Sequence, residues 1–390
     1  MLAFCASAVL AVNADKGADY GRTCAVDVCD DPAPAIAGLA HGHLSAVAHE
    51  QPTMGPGSVL LRAPFAAVAQ LGDDSVTNQY RWGVFICLFL TGLLILWLAG
   101  QALDRGARPP VAVAFAVGGF LNPLTFRALA YGHPEEPLAA ALVVAAVVAA
   151  YTRRPLAAGL MFGAALATKQ WALLAAGPIL LAALPFQSRR VAMTAAVVAL
   201  VLYAPAVLGD PGRFRDATHA AASPPANATP ANVWWPLAQN VPDPRLAPGT
   251  QQRRPPDAVK VLAHWLVLAL AFGLSALVVL RAREPALDCL LALTALIFLL
   301  RCMLDPYTFS YHHWPLLVAL AAYEAIGRRR LPLLTIAVGA ALWWMSYHLS
   351  ISGRPDPLLH FYLAWTLPLT ALLGWLTWRA VARRPSARPC

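Results

Sequence analysis

Long apolar runs separated by short polar segments dominate the chain, and this pattern predicts membrane-spanning helices. A helix crosses a bilayer with about 20 mostly apolar residues, or fewer where its geometry is unusual. Nine runs come close to that length, near residues 83–101, 110–126, 136–150, 191–208, 259–280, 286–303, 311–326, 331–348 and 358–378. The run 1–12 is shorter and lacks the basic flank of a secretory signal peptide, so we expect a clipped first span there.

Residues 155–186 form an apolar stretch that is interrupted by Thr168-Lys169-Gln170. One long span fits this stretch, but two short helices with a turn at Lys169 fit it better. In the second arrangement Arg153-Arg154 and Arg189-Arg190 lie on the same side of the membrane, as the positive-inside rule favours. The predicted fold class is therefore an all-α polytopic membrane protein with about 11–12 transmembrane helices.

The composition agrees with this prediction and excludes soluble, disordered and disulfide-stapled classes of protein. Hydrophobic residues make up 59 % of the 390 residues, against about 45–50 % in soluble chains. Charged residues make up 13 %, against about 25 % in soluble chains. The whole chain, 1–390, is expected to be one transmembrane domain.

The net charge of +9 does not indicate a nucleic-acid partner. The positions of the basic residues along the chain are informative instead. Six short segments hold 15 of the 29 basic residues in only 37 positions: 102–109, 151–154, 187–190, 281–285, 327–330 and 379–390. The positive-inside rule places these segments, and with them both termini, in the cytoplasm. The long loops 13–81 and 209–257 then face the outside of the plasma membrane.

The first outer loop, 13–81, contains two helix signals. Asp31 before Pro32 predicts the N-cap of a helix on the membrane surface, with an apolar face formed by Ile36, Leu39, Ala40, Leu44 and Val47. A second apolar piece, 59–65, follows the turn signal Gly55-Pro56-Gly57 and is expected to be interfacial or re-entrant. Short amphipathic helices are therefore expected in this loop.

Two further features of the outer loops have more than one interpretation. Cys24 and Cys29 are close enough in sequence for a disulfide in an oxidising compartment, and the sequence leaves their state open. Trp234 and Trp235 in the loop 209–257 fit anchoring at the membrane boundary, as tryptophans commonly do. A platform that contacts a sugar or a lipid is the alternative.

Four polar clusters converge on the predicted outer face: Asp30-Asp31, Gly132-His133-Pro134-Glu135-Glu136, Lys169, and the segment from Arg301 to Trp314. Each has a structural explanation of its own, namely an N-cap for Asp31, a solvated helix start for Glu135 and Glu136, snorkelling for Lys169, and a membrane belt for His312 and His313. An intramembrane lysine is expensive, however, and indicates function. Together, the clusters suit an anionic lipid headgroup and a hydroxyl that is deprotonated.

These residues resemble a known family. The order is an acidic loop after the first span, the segment Gly132–Glu136, the pattern Gly-Leu-x-x-Gly-x-x-x-Ala-x-Lys at 159–169, and Leu-Asp-Pro-x-x-x-Ser-Tyr-His at 304–312. It is similar to the GT-C membrane glycosyltransferases, and within them to glycosyltransferase family 87, the mannosyltransferase-like group that uses polyprenyl-phosphate sugars.

The resemblance implies a GT-C bundle that transfers a hexose, inverting the anomeric centre, from a polyprenyl-phosphate-sugar donor to a lipid or glycan acceptor at the outer face. It implies Asp31, with Asp30 as the alternative, as the general base. It also implies a donor-phosphate site formed by Lys169, Arg301, His312 and His313. Glu135 and Glu136 would bind acceptor hydroxyls or assist His133. Further candidates for substrate contact are Asp305, Tyr311, Trp234 and Trp235.

The sequence also bears on a bound cation and on an alternative function. The adjacent acids permit a divalent cation but do not require one, and no nucleotide motif or Cys/His metal motif is present. A lipid or sugar transporter, or a flippase, is the alternative function. The chain shows no repeat at a half-chain offset, and its polar residues cluster at one face instead of the midplane that transporters use.

Overall fold

The computed structural model describes residues 1–14, 32–51, 55–183, 185–222, 230–242, 251–282, 284–349 and 355–382. Over these ranges the chain is almost entirely helical. Strands occur in the described ranges only as one antiparallel pair, β1 Gln239–Pro242 and β2 Gln251–Arg254.

The helices follow one another in the order α1 Leu2–Val12, α2 Ala33–Ala40, α3 Ala46–His49, α4 Pro56–Ala66, α5 Val76–Asp104, α6 Pro109–Phe120, α7 Pro123–Ala130, α8 Glu135–Tyr151, α9 Pro155–Thr168, α10 Ala176–Ala182, α11 Pro185–Gly209, α12 Pro211–Ala222, α13 Asp257–Arg281, α14 Leu287–Leu304, α15 Trp314–Ala322, α16 Leu333–Trp344 and α17 Pro355–Ala382. Short 3-10 turns lie at Ala67–Leu71, Gln170–Ala175, Trp235–Leu237 and Ser310–His313, and π-helical turns at Tyr323–Gly327 and Met345–Leu349.

The protein is an all-α membrane protein. Six helical stretches within the described ranges are long and apolar enough to cross a bilayer: Val76–Asp104, Pro109–Ala130, Gln187–Gly209, Asp257–Arg281, Leu287–Leu304 and Asp356–Ala380. This is fewer than the expected number of spans. Other apolar runs that were expected to span form shorter helices, at Leu2–Val12, Pro155–Thr168, Gln170–Ala182 and Leu333–Leu349.

Helix α8 lies at the centre of the bundle, packed against α5, α9, α10, α14 and α15. Every one of its residues except Leu142 and Tyr151 is buried. Most of these residues are alanine and valine, and small side chains let neighbouring helices approach closely in a membrane. Because protein surrounds α8 along nearly its whole length, the side chains of its first turn also lie inside the bundle.

The chain reverses direction at Lys169, as the sequence predicted. Gly159 packs against Thr194, where an added Cβ would lie 2.5 Å from the threonine Cβ, and Gly163 packs against Ala195 in the same way. Further along, the hydroxyl of Tyr203 donates to the carbonyl of Leu166 at 3.3 Å. Helices α9 and α11 therefore run parallel, so the segment between them returns to the side on which α9 began.

The first long loop differs from the prediction in one respect. The surface helix ends at Ala40 and does not continue to Val47. Gly42, with φ of +82°, breaks the helical path, and Leu44 is consequently 82 % exposed instead of contributing to an apolar face. The N-cap position of α2 is Pro32, while Asp31 lies outside the described residues. The predicted apolar piece at 59–65 is helical, within α4.

Candidate functional site

Two buried carboxylates begin the central helix α8. Glu135 is 0 % exposed and Glu136 is 1 % exposed. Carboxylates are rarely buried this completely unless they are paired, because a charge loses its hydration on burial. The prediction of a solvated helix start at these positions is wrong. We call the end of the bundle at which α8 begins the site end.

Lys169 supplies the closest partner for both carboxylates. Its Nζ lies 2.8 Å from Glu135 Oε1 and 3.3 Å from Glu136 Oε2. The backbone of Lys169 is extended, between the last turn of α9 and the following 3-10 turn. This break in the helix directs the side chain into the bundle, where it is 12 % exposed. Snorkelling to the membrane surface does not describe this lysine.

Two arginines border the carboxylates at longer distances. Arg62 Nη1 on α4 is 3.8 Å from Glu135 Oε2, and Arg301 Nη1 on the last turn of α14 is 3.9 Å from Glu136 Oε1. Both separations exceed the length of a direct hydrogen bond. The guanidinium groups also lie over aromatic rings, Arg62 over Tyr80 at 5.6 Å and Arg301 over Trp171 at 5.2 Å. The rings and carboxylates together hold these cations in an apolar setting.

The cluster formed by Arg62, Glu135, Glu136, Lys169 and Arg301 carries three positive and two negative charges. We call it the charged cluster. The side chains of all five residues are at most 12 % exposed. Lys169 and Arg301 are thus buried cations held in fixed positions, and such groups suit the stabilisation of an anion. The two carboxylates, surrounded by three cations, do not fit a divalent metal ion.

His133 connects the charged cluster to a group of aromatic rings. Its Nδ1 lies 3.1 Å from Glu135 Oε1, and its ring centroid lies 5.2 Å from that of Tyr311. The rings of Tyr131 and Phe309 lie 5.5 Å and 5.7 Å from Tyr311 and 5.4 Å from each other. We call Tyr131, Phe309 and Tyr311 the aromatic wall. Tyr311, a candidate from the sequence, lies beside His133 at the edge of the charged cluster.

The two neighbouring histidines have different surroundings. Phe309 N–H donates to His312 Nδ1 at 3.2 Å, so that nitrogen keeps a lone pair and the ring is neutral. His313 is 0 % exposed, and its Nε2 is 3.2 Å from the Tyr362 hydroxyl on α17. Its other ring nitrogen is 3.1 Å from the carbonyl of Ser310. Of the two, only His312 reaches the charged cluster, through its carbonyl, which accepts from Arg301 Nη1 at 3.4 Å.

Asp305 shapes the loop beside the site. Its carboxylate accepts from the N–H of Tyr307 at 3.0 Å, and its carbonyl accepts from Thr308 Oγ1 at 2.8 Å and from the side-chain amide of Asn232. These bonds satisfy the turn after α14, so Asp305 has a structural role there.

Trp234 and Trp235 hold the second long loop against the site end. The indole N–H of Trp234 donates to the carbonyl of Leu304 at 2.6 Å. Trp235 is 7 % exposed, and the guanidinium of Arg253 lies 4.6 Å from its ring centroid. Both tryptophans therefore pack on protein and lie outside the charged cluster.

Several expected residues lie outside the part of the chain that the structure describes. They are the candidate bases Asp30 and Asp31 and the cysteines Cys24 and Cys29. Among described residues, no group of three or more His, Cys, Asp or Glu side chains is arranged to hold a metal ion.

Sequence reasoning missed Arg62 and two members of the aromatic wall, Tyr131 and Phe309. The signal for Arg62 was available, because a single arginine inside the apolar stretch Val59–Phe65 is expensive unless it is partnered. The rings carried no such signal, since aromatic residues are frequent in membrane proteins for packing alone.

Comparison of the sequence with models of known protein families gives no match, and comparison with curated proteins gives none either. The function of the site is therefore inferred from its own residues.

Proposed function

We propose that the protein is a membrane glycosyltransferase of the GT-C type, similar to family 87. It moves a mannose-like hexose from a polyprenyl-phosphate-sugar donor to a lipid or glycan acceptor. In this proposal the site end faces the outside of the plasma membrane, and the termini are cytoplasmic. The observation that carries the proposal is the charged cluster, in which Lys169 and Arg301 are buried beside two carboxylates at the end of an apolar bundle.

The charged cluster suits the phosphate of such a donor. Lys169 would lie beside the phosphate oxygens and Arg301 next to them, while the apolar chain of the donor stays among the lipids. Buried cations that are already in place stabilise a leaving phosphate as its negative charge grows. A nucleotide-sugar donor would have no need of a site inside a membrane bundle.

In the transfer step, the acceptor hydroxyl attacks the anomeric carbon from the side opposite the phosphate. The new C–O bond forms as the bond to phosphate breaks, and the phosphate leaves with the bonding electron pair. The hydroxyl proton passes to a carboxylate, for which Asp31 is the proposed base, with Asp30 as the alternative. The products are the glycosylated acceptor and polyprenyl phosphate.

Transfer can be measured in proteoliposomes with radiolabelled polyprenyl-phosphate-mannose and acceptors from membranes that lack the protein. We expect Lys169→Met to reduce transfer by about 10²–10³-fold, the usual effect of removing one group that stabilises developing charge. Lys260→Met is the matched control, because Lys260 pairs with Asp257 at the start of α13, 2.9 Å away and outside the site.

Two further measurements separate the possible outcomes. Lys169→Arg keeps the charge and should retain more activity than Lys169→Met at equal thermal stability. Wild-type transfer rates in a stably folded Lys169→Met protein would contradict the proposal. Movement of intact labelled donor across sealed vesicles, with no transfer, would favour the transporter alternative.

A further inference from the structure

The charged cluster contains two carboxylate oxygens with unused hydrogen-bonding capacity. Glu136 Oε1 and Glu135 Oε2 are buried and have no hydrogen-bond partner among the described residues. Each instead faces a guanidinium group at 3.9 Å or 3.8 Å, respectively. A buried acceptor without a donor costs free energy, so these two oxygens indicate that a ligand completes the site.

The Glu136–Arg301 pair defines what kind of ligand group fits. A carboxylate oxygen only accepts hydrogen bonds, and a guanidinium only donates them. A hydroxyl does both, and it can lie beside the pair, donating to Glu136 while accepting from Arg301. At 3.9 Å between Oε1 and Nη1, one oxygen can reach both atoms at ordinary hydrogen-bond lengths. A phosphate oxygen, which lacks a proton, could use only the arginine.

The aromatic wall adds apolar ring surface near these hydroxyl contacts, since Tyr311 also packs beside His133. Tyr131 and Phe309 are half-buried, whereas Tyr311 is 3 % exposed. The rings of Phe309 and Tyr311 are stacked on each other, with 8° between their planes, and the half-buried Phe309 is the more accessible of the two. One face of a pyranose ring presents C–H groups, and such a face packs on aromatic rings. A polyol with one apolar face, which is what a hexose is, matches both features.

We infer that Glu136, Arg301 and the aromatic wall form a sugar-binding subsite that selects a hexosyl phosphate over a simple alkyl phosphate. This inference rests on the proposed function and deepens it, because it divides the site into two parts. Lys169 would hold the phosphate, while Glu136, through its hydroxyl contact, and Phe309, through ring packing, would recognise the sugar.

Binding of two soluble amphiphiles to the purified protein tests this division. Isothermal titration calorimetry would compare dodecyl phosphate with dodecyl phosphoryl-mannose in detergent. We expect the wild-type protein to bind the mannosyl compound about tenfold more tightly, since a ring contact with a hydrogen bond supplies an effect of that order. We expect Phe309→Leu and Glu136→Gln to reduce this preference to less than about threefold.

Dodecyl phosphate serves as the internal reference. Phe309→Leu should bind it as the wild type does, and Glu136→Gln should bind it at least as tightly, because the substitution removes a nearby negative charge. A smaller preference for the mannosyl compound together with undiminished binding of dodecyl phosphate would not arise from general damage to the fold. Phe272→Leu is the matched control, since Phe272 is 44 % exposed on α13 and should keep the tenfold preference.

The outcomes distinguish this inference from the proposed function. Equal wild-type affinity for the two amphiphiles would overturn the sugar subsite and leave the phosphate site standing. Retention of the full preference by either Phe309→Leu or Glu136→Gln would also overturn it. Absence of binding by both amphiphiles would overturn the proposed function as well.

Discussion

The two ends of the bundle use positive charge in different ways. At the Arg-rich end, defined by Arg108, Arg153-Arg154, Arg189-Arg190 and Arg328–Arg330, these side chains are exposed. At the site end, Arg62, Lys169 and Arg301 are buried, and they face buried carboxylates. Exposed arginines stay hydrated and help to orient a membrane protein. Burying a cation costs free energy because the charge loses its hydration. We therefore assign a function to the site end.

Both ends also contain buried carboxylates, and Glu324 and Glu135 show that these are satisfied differently. Glu324 at the Arg-rich end accepts from the backbone of Leu334 and Thr335 and from the Thr335 hydroxyl, at 2.9–3.1 Å. It thereby caps the first turn of α16. Its one charged neighbour among the described residues, Arg330 at 3.5 Å, is 54 % exposed. Glu135 at the site end is held by charged side chains, which a substrate could rearrange. The comparison predicts that changes at the site end affect both stability and transfer, whereas those at the Arg-rich end affect stability alone.

Glu135→Gln should have the largest effect. The substitution leaves Lys169 and Arg62 facing a neutral amide inside the bundle. Breaking a buried ion pair by removing one partner costs about 3–5 kcal/mol, and we expect a loss of that size in the free energy of unfolding. Denaturant titration of the purified protein in mixed micelles would measure it.

The double variant Glu135→Gln/Lys169→Met provides the control for this prediction. Removing both partners leaves less uncompensated charge, so the double variant should be more stable than Glu135→Gln alone. A single-variant loss below about 1 kcal/mol, the range of exposed pairs, would show that the charged cluster is not buried in the working protein.

Glu324→Gln should have an intermediate effect. The amide keeps one acceptor oxygen but loses the charge that strengthens its bonds to the α16 backbone. Hydrogen bonds to charged groups contribute about 1.5–3 kcal/mol, so we expect a loss of up to that size in the free energy of unfolding. Transfer per folded molecule should stay at the wild-type level. A clear fall in transfer would show that changes at the Arg-rich end do not affect stability alone.

Arg328→Gln should have a small effect. Arg328 Nη1 lies 3.0 Å from Asp288 Oδ2, with the two side chains 40 % and 21 % exposed. Exposed pairs of this kind contribute about 0.2–1 kcal/mol, and salt weakens them further. Unfolding titrations at low and high salt should show the difference between variant and wild type shrinking as salt is added. A loss comparable to that of Glu135→Gln would contradict the comparison.

The sequence predicted the parts of the site that depend on local rules. Lys169 was expected at a turn because an interrupted apolar stretch and the flanking arginines required one, and the parallel course of α9 and α11 agrees. The partners of Lys169 could not be derived in this way. Arg62 lies 73 positions from Glu135 in the sequence, and only the packing of α4 on α5 and α9 brings it to the first turn of α8.

The two histidines show a second limit of sequence reasoning. His312 and His313 are adjacent and were expected to act together, yet a 3-10 turn at Ser310–His313 directs them to different neighbours. One lies near Arg301 through its backbone, and the other meets Tyr362 on α17. Which neighbour each ring meets depends on a local backbone geometry that residue type alone does not specify.

An exposed pair at the site end tests whether burial or location decides how much an ion pair contributes to the stability of the fold. His41 Nε2 lies 2.9 Å from Asp74 Oδ2, and both side chains are about 40 % exposed. The hydrogen bond from its Nδ1 to the carbonyl of Ala37, followed by the bond to Asp74, raises the pKa of His41. The bond from Gln79, followed by that from His41, lowers the pKa of Asp74. If burial decides, this pair should contribute little despite its location.

The pH dependence of the pair has a definite sign. The raised His41 pKa gives stability that is complete below the unfolded value of 6.5 and is lost as pH rises through the folded value. The lowered Asp74 pKa gives stability that is present above the unfolded value of 3.8 and is lost as pH falls through the folded value. The stability difference between wild type and His41→Gln should therefore be largest near pH 5, about midway between these unfolded values, and should fade as pH rises through the raised pKa of folded His41. Thermal unfolding of both proteins across this range would measure it, and a difference that grows as pH rises through that pKa would contradict the assignment of the pair.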